Sequence, residues 1–113
     1  MTGFIQAVTT TETREDAEKI ARIVVEQRLA ACVQVLGPIT STYWWQGSIE
    51  TADEWMCLMK SRQDLFDQLV RAIKAVHPYT VPEILAFPVV AGNPEYLSWL
   101  GQEVELGLSN KYD

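Results

Sequence analysis

The middle of this 113-residue chain reads Thr42-Tyr43-Trp44-Trp45-Gln46-Gly47-Ser48-Ile49-Glu50, and this stretch decides the fold. Gln46-Gly47 predicts a two-residue hairpin turn, because glycine accepts the positive φ that such turns require. Extended stretches flank the turn, one beginning at Cys32 and the other ending at Lys60. Strands of about 5–6 residues are typical, so both sides of this hairpin are unusually long. A small domain cannot cover such a hairpin with its own core, and we expect part of it to overhang.

The second side of the hairpin contains residues 55–59, Trp-Met-Cys-Leu-Met, which are apolar at every position. A strand with one wet face alternates apolar and polar residues, whereas a strand covered on both faces does not. Pairing about the turn places Tyr43 and Trp45 on one face and Trp44 on the other. Met56, Leu58 and Lys60 share the first face, and Ile49, Trp55, Cys57 and Met59 share the second. We expect Tyr43, Trp44 and Trp45 to be assembly contacts, since so much apolar area would otherwise face water.

The two cysteines, Cys32 and Cys57, lie on opposite sides of the hairpin. Pairing about the turn sets Cys57 opposite Leu36 and Cys32 opposite Ser61, which separates the thiols by about 13 Å along the strands. A disulfide needs Cα atoms within about 7 Å, so we expect two reduced thiols. A bulge near Gly37-Pro38 would shift this pairing by one residue but not by four. Reduced thiols, together with the absence of a recognisable signal peptide, predict a cytoplasmic protein.

Composition and charge exclude several classes of protein. The net charge is −6, whereas a nucleic-acid-binding protein needs a cationic face to displace counterions. The longest apolar runs fall far short of the ~20 residues of a membrane span. We therefore expect no nucleic-acid partner and no membrane partner. Apolar residues make up 48% of the chain, which is an ordinary globular value, and the length suits a single domain over residues 1–113.

Helix and strand signals precede and follow the hairpin. Residues 3–9 predict a strand, because they are rich in β-formers. Thr13-Arg14-Glu15-Asp16 resembles a capping box and begins an amphipathic helix over 13–28. Ser61-Arg62-Gln63-Asp64 repeats the capping pattern before a second amphipathic helix. His77-Pro78 ends that helix, because the residue before a proline is pushed out of the α region.

The last third of the chain completes the prediction. Residues 81–90 are extended, and two prolines within them confine the strand to a sheet edge. Asn93-Pro94-Glu95 begins a final helix, which we expect Gly107 to end. The predicted class is α+β, with the ferredoxin-like βαββαβ antiparallel sheet, a long hairpin between its second and third strands, and an extra C-terminal helix. In that fold two helices cover one face of the sheet and leave the other for another layer or another subunit.

Four motifs stand at set intervals along the chain. They are Arg28-Leu29-Ala30-Ala31-Cys32-Val33, Thr42-Tyr43-Trp44-Trp45-Gln46-Gly47, His77-Pro78-Tyr79-Thr80-Val81-Pro82-Glu83 and Gly92-Asn93-Pro94-Glu95-Tyr96-Leu97-Ser98-Trp99-Leu100. In this order and spacing the chain resembles the CutA family of divalent-cation tolerance proteins, over most of its length. The resemblance implies a ferredoxin-like subunit in a tight homotrimer held through its sheets. It also implies a link to copper and other divalent metals.

The resemblance further implies a copper site made by a cysteine at the end of the first strand and two adjacent histidines before Pro-Tyr. Here those positions hold Thr9 and the pair Val76-His77, so His77 alone matches and is the candidate metal ligand. Imidazole suits copper and zinc, but a metal centre in a protein takes about three or four ligands. The alternative is a histidine that contacts the last carbonyls of its helix. We expect no tightly bound cofactor, and a divalent cation such as copper as the candidate ligand.

Lys60, Tyr79, Glu83 and His77 are candidates for a polar cleft, and the resemblance adds Cys32, which in the family lies near a cleft between subunits. Lys60 ends an apolar strand, and a buried ammonium needs a carboxylate partner, for which Glu83 is the candidate. Such a cleft binds a small anion or a metal. The alternatives are an ion pair that only closes the sheet end and, for Cys32, a small buried strand residue.

Three functional hypotheses remain. The leading one is a non-enzymatic homotrimer implicated in divalent-cation (copper) tolerance, through weak metal binding or ligand sensing at the clefts between subunits. The alternative is a PII-like signalling or scaffold trimer that binds a small metabolite and has no direct metal role. The third is an enzyme with a Cys32–His77 nucleophile pair, for which the sequence supplies neither an orienting third group nor an oxyanion hole.

Overall fold

The strands and helices follow one another along the chain in the predicted order. The computed structural model describes residues 2–112, with side chains as far as Val104. The elements are β1 (Phe4–Thr11), α1 (Arg14–Glu26), β2 (Cys32–Trp45), β3 (Ser48–Arg62), a 3-10 turn (Gln63–Leu65), α2 (Phe66–Val76), β4 (Ile84–Pro88) and α3 (Pro94–Tyr112). The strands form one antiparallel sheet in the order β2-β3-β1-β4. The α+β, ferredoxin-like prediction is confirmed, with β4 at a sheet edge.

One face of the sheet carries the hydrophobic core. Ile20 and Val24 of α1 and Leu69 and Ile73 of α2 are all completely buried in one cluster with residues of the central strands. The strand residues of this cluster are Ala7, Cys57 and Met59. Because side chains alternate along a strand, these three define the covered face of the sheet. The apolar faces of the two predicted amphipathic helices therefore pack against the covered face of the sheet.

On the other face of the sheet, α3 covers the end that carries Cys32 and Phe4. There α3 brings Tyr96 against Cys32 and Gly101 against the Phe4 ring. Beyond α3, Leu85 and Phe87 of β4 are about half exposed, at 50% and 51%. Met56 and Leu58 of β3, also on this face, are only partly buried. We call this surface the open face and define it by Leu36, Met56, Leu58, Leu85 and Phe87.

The hairpin of β2 and β3 extends beyond the helices. Gln46 and Gly47 both have positive φ, 50° and 83°, as the predicted two-residue turn requires. The ladder runs without interruption from Trp45 opposite Ser48 to Ile39 opposite Glu54. We call these residues, 39–54, the arm. Its overhang contributes to the 50 Å long axis of the subunit, against 28 and 22 Å for the other two axes.

A bulge separates the arm from the rest of the sheet. Gly37 and Pro38 together stand opposite the single residue Trp55, and below them Leu36 pairs with Met56. The pairing predicted for the lower strands is therefore wrong by one residue. Cys57 faces Val35 rather than Leu36, and Cys32 faces Lys60 rather than Ser61. Both thiols are free, as predicted.

The ends of the helices are predicted with mixed success. Thr13 caps α1, because its hydroxyl accepts the Asp16 N–H at 3.2 Å, and Asn93 caps α3 by accepting the Glu95 N–H at 3.1 Å. The second capping prediction is wrong, since Ser61 lies within β3 and its buried hydroxyl donates to the Leu29 carbonyl at 2.6 Å. The final helix does not end at Gly107 but continues to Tyr112. Within the part of the chain that the structure describes, no helix is long and apolar enough to cross a membrane.

Candidate functional site

His77 is buried at the C-terminal end of α2, and both of its ring nitrogens are hydrogen-bonded. Its backbone N–H closes the helix by donating to the Ile73 carbonyl at 2.8 Å. Nδ1 lies 3.1 Å from the backbone N–H of Tyr79, and Nε2 lies 2.9 Å from the carbonyl oxygen of Thr10 in β1. An amide N–H can only donate and a carbonyl can only accept, so Nδ1 is the bare nitrogen and Nε2 carries the proton. The alternative foreseen from sequence, a contact with the last helix carbonyls, is replaced by a contact with β1.

This arrangement does not fit a metal ligand. A neutral imidazole binds a metal through one lone pair, and here that lone pair accepts the Tyr79 N–H. Burial lowers the pKa of His77, while the bond to Thr10 and the charges of Asp16 and Glu54 oppose that shift. Among the residues described with side chains, no group of three or more His, Cys, Asp or Glu side chains could hold a metal ion.

The other position of the implied copper site also lacks a suitable donor. Thr9 is completely buried on the covered face of the sheet, between Cys57 and Ile84 in the strand ladders. Its hydroxyl has no hydrogen-bond partner among the described residues. Cys57 is also unsuitable, since burial raises the pKa of its thiol to about 11 and the thiol donates to the Ala17 carbonyl. No step of a mechanism can therefore be assigned to a metal held by Thr9 and His77 within one subunit.

Tyr79 is hydrogen-bonded to Glu54, a residue that the sequence analysis did not identify. Its phenol donates to Glu54 Oε2 at 2.7 Å, and its ring packs against the His77 imidazole with a centroid separation of 4.9 Å. Burial, followed by the hydrogen bond and charge of Glu54, raises the pKa of Tyr79. The phenol is therefore a proton donor at neutral pH. Glu54 belongs to the polar run that follows the turn, and no local pattern singles it out.

Lys60 and Cys32 lie side by side at the other end of the sheet. They are cross-strand partners, and alternation along β3 places Lys60 on the open face. The ammonium donates to Gln34 Oε1 at 2.9 Å. The expected partner, Glu83, is exposed and does not pair with it, so that prediction is wrong. Cys32 is partly buried beneath α3 and interacts with Tyr96, whose pKa is raised by burial and, to a lesser extent, by this contact.

The candidate cleft residues are thus divided between two places in one subunit. Tyr79 is bonded to Glu54, which lies six residues before Lys60 along β3. Six residues of strand span about 20 Å. Glu83 immediately precedes β4, where Ile84 pairs with Thr9, nearer to the Glu54 end. Within one subunit the chain brings Cys32 and Lys60 together, but not with Tyr79 or Glu83.

The three aromatic residues that precede the turn lie outside the hydrophobic core. Trp44 is 73% exposed, Trp45 60% and Tyr43 42%. Trp44 pairs with Ile49, which is also largely exposed, so both faces of the tip present apolar side chains. Their placement on opposite faces agrees with the pairing predicted about the turn.

Comparisons with known proteins converge on one family. Residues 5–103 match the sequence model of the family described as CutA1 divalent ion tolerance protein. The divalent-cation tolerance protein CutA of Thermus thermophilus is 47% identical over 91 residues, which cover 80% of this chain and 88% of the relative. Protein CutA of mouse is 47% identical over 89 residues, but these cover 79% of this chain and only 50% of the longer mouse protein.

A solved structure gives the same result. The structure titled periplasmic divalent cation tolerance protein CutA from Archaeoglobus fulgidus superposes with a TM-score of 0.87 at 39% sequence identity. The superposition covers 89% of this chain and 98% of that one. Family proteins are named for tolerance rather than for an enzymatic reaction.

Proposed function

Because the chain belongs to the CutA1 divalent ion tolerance family, we propose that it acts in divalent-cation tolerance as a homotrimer, by weak cation binding or by sensing a small ligand at clefts between its subunits. One observation carries this proposal: the apolar surface that the subunit leaves uncovered on the arm and the open face. Monomeric proteins rarely expose contiguous apolar patches larger than a few hundred Å². A second and a third copy of the chain are the partners that we propose for this surface.

The arm supplies the assembly contacts in this proposal. Tyr43 and Trp45 extend the open face towards the tip, and Trp44 presents a large apolar side chain on the opposite face. Aromatic side chains such as these bury large areas at interfaces and carry much of the association energy. An arm whose tip is apolar on both faces is suited to lie between two neighbouring copies.

The separation of the cleft residues supports a site between subunits rather than within one. Cys32 and Lys60 lie about 20 Å along the sheet from the Tyr79 end of the same subunit. Packing of the open face of one copy against the arm of another is a way to bring Cys32 and Lys60 of one subunit close to Tyr79 and Glu83 of the other. We propose that Cys32, Lys60, Tyr79 and Glu83 line such clefts.

For the cation, copper is our first candidate and Cys32 its proposed ligand, because thiolate is a soft donor. Calorimetric titration of the protein with Cu²⁺ tests this. We expect saturable binding that weakens in Cys32→Ala and persists in the matched control His77→Gln, since the His77 lone pair is already used. Absence of saturable binding, or equal binding by Cys32→Ala, would contradict cation coordination at the cleft. No tightly bound cofactor and no catalysis are part of the proposal.

A second candidate function is favoured by Lys60. Its only hydrogen-bond partner among the described side chains is the neutral amide of Gln34, and it lies on the same face of the sheet as Met56 and Leu58. If another copy covers that surface, the ammonium needs an anionic partner, because an unpaired buried charge is costly. This favours a PII-like trimer that senses an anionic metabolite and has no direct metal role. Phosphate binding that survives EDTA and is lost in Lys60→Gln would support it.

For the compartment we propose the cytoplasm, where free thiols persist. The Archaeoglobus protein is titled periplasmic, so members of the family are assigned to different compartments. Fractionation of the native host with an antibody to the protein tests the proposal. Recovery outside the cytoplasmic fraction would contradict it.

A further inference from the structure

We infer that His77 is a positioning residue, which holds Tyr79 on Glu54 and thereby braces the base of the arm, and that it is not a metal ligand. The brace consists of Thr10, His77, Tyr79 and Glu54, connected by three hydrogen bonds of 2.9, 3.1 and 2.7 Å. It links β1 and the end of α2 to β3. Each of the four residues takes part in at least one of these bonds, and the single lone pair of the neutral imidazole is used by the Tyr79 N–H.

The first half of the brace fixes one tautomer of the histidine. The Tyr79 N–H requires a bare Nδ1, and the Thr10 carbonyl requires a proton on Nε2. Because both partners are backbone groups, the ring is held whichever side chains surround it. The bond between Nδ1 and the Tyr79 N–H also fixes the turn at Pro78, since Tyr79 lies two residues after His77. A metal at Nδ1 would have to displace the Tyr79 N–H and leave that donor without its partner.

The bond between Tyr79 and Glu54 connects the brace to the arm beside the bulge, where the arm can bend. Glu54 pairs with Ile39, which is the last pair of the arm before the bulge at Gly37-Pro38. A bulge interrupts the ladder and bends the strand that carries it. The direction of the arm relative to the sheet is therefore set at this point. The Tyr79 phenol holds Glu54 there by a charge-assisted hydrogen bond, which is stronger than a neutral one.

The first experiment uses the fact that His77 is the only histidine in the chain. The ¹⁵N chemical shifts of its ring distinguish Nδ1 from Nε2 protonation and report metal coordination directly. We expect the Nε2–H tautomer, with both shifts unchanged when Zn²⁺ is added in excess. A change of either ring shift on Zn²⁺ addition, or the Nδ1–H tautomer, would overturn the inference. This readout does not depend on the proposed trimer.

The second experiment measures the base of the arm. Tyr79→Phe removes the donor and keeps the ring, and Glu54→Ala removes the acceptor. Glu54→Gln is the matched control, because its amide oxygen still accepts from the phenol. We expect backbone amides 52–54 to exchange with deuterium about tenfold faster in Tyr79→Phe and Glu54→Ala, on the scale of one lost hydrogen bond to a charged group, and at an intermediate rate in Glu54→Gln, which keeps the bond but loses its charge. Equal rates in all four proteins would overturn the brace.

A consequence for assembly rests on the proposed function. If the arm carries the trimer contacts, a misdirected arm raises the trimer dissociation constant, by up to about tenfold for each of the three subunits that loses the bond. Sedimentation equilibrium of the same four proteins measures this. Weaker assembly in Tyr79→Phe and Glu54→Ala, with a smaller loss in Glu54→Gln, supports the brace. A native protein that is monomeric contradicts the proposed function, whereas unchanged assembly of Tyr79→Phe contradicts the brace.

Discussion

The two halves of β3 have similar backbones and opposite surroundings. Between Cys57 and Ser61 the strand lies beneath α1 and α2, and its inward side chains are completely buried. Between Ser48 and Asp53 the same strand belongs to the arm, and nearly all of its residues are exposed. Burying apolar side chains is what stabilises a fold, so the stability of one subunit does not explain why Trp44, Trp45 and Ile49 are exposed at the tip. The part of the subunit beneath the helices, which we call the body, contains the hydrophobic core, and we propose that the arm contacts other copies of the chain.

The largest expected effect is on the arm. Trp44→Ser/Trp45→Ser removes its two most apolar contacts, so we expect the trimer to dissociate while the subunit keeps its circular dichroism spectrum. Size-exclusion chromatography with light scattering measures the mass. Val25→Ser is the matched control, since Val25 is an exposed apolar residue on α1, away from the arm and the open face. A stable trimer of the double variant would show that the arm does not hold the assembly.

A substitution in the body should lower the free energy of unfolding rather than weaken assembly. Ile73→Ala creates a cavity under the covered face, where Ile73 is completely buried, and we expect a loss of about 2–5 kcal/mol in the free energy of unfolding. Urea unfolding followed by circular dichroism measures this. Ala75→Ser, an exposed change on the same helix, serves as the control. If Ile73→Ala lost assembly without losing stability, the division between body and arm would be wrong.

A substitution in the bulge, which joins the body to the arm, should lower the free energy of unfolding by an intermediate amount. At Gly37 a Cβ would come within 2.6 Å of the Trp55 ring, which fills the space opposite the bulge. Gly37→Ala therefore forces this ring or the strand to move, at a cost of about 1–3 kcal/mol in the free energy of unfolding. Gly47→Ala is an instructive comparison, because no atom would meet its Cβ and only its φ of 83° is unfavourable. Equal stability of Gly37→Ala and the native chain would show that the bulge is loosely packed.

The same junction marks how far the sequence predicts the structure. The turn, the arm and the order of elements follow from local signals, namely Gln46-Gly47, the apolar periodicity and the caps at Thr13 and Asn93. The bulge does not, since Gly37-Pro38 indicates an irregularity but not its direction. A shift of one residue moves side chains to the other face of a sheet. The predicted pairing placed Cys32 opposite Ser61, whereas the bulge places it beside Lys60.

The bonds of the candidate site were missed for a related reason. Glu83 was predicted because a buried ammonium needs a carboxylate partner, and with the predicted pairing Gln34 would lie on the face away from Lys60. The observed register turns Gln34 to the same face, within 2.9 Å. Glu54 was missed because its bond to Tyr79 joins residues 25 positions apart, from two elements whose packing no local pattern encodes. Tertiary contacts, rather than residue preferences, decide both pairs.

The smallest expected effect is the pH dependence of the contact between the body and the base of the arm. Burial lowers the pKa of His77 below its ordinary value of 6.5, although the Thr10 bond and the charges of Asp16 and Glu54 reduce the shift. Above pH 6.5 the ring is neutral in both the folded and the unfolded chain, so it adds no pH dependence. As the pH falls below 6.5 the unfolded chain binds the proton first, and the native state loses stability until the folded pKa is passed.

His77→Gln isolates this contribution, because it is the only histidine and glutamine does not titrate. Contributions from groups that do not contact His77 cancel between the two proteins, so the difference in their free energies of unfolding reports His77 together with the charges of Asp16 and Glu54 that act on it. We expect the native chain to lose its advantage over His77→Gln as the pH falls from 7.5 to 5, by urea unfolding at each pH. An advantage that grows on acidification would mean that the protonated ring is stabilised, as by a carboxylate partner. That result would contradict a neutral histidine in the brace and leave the arm supported by Glu54 in a different way.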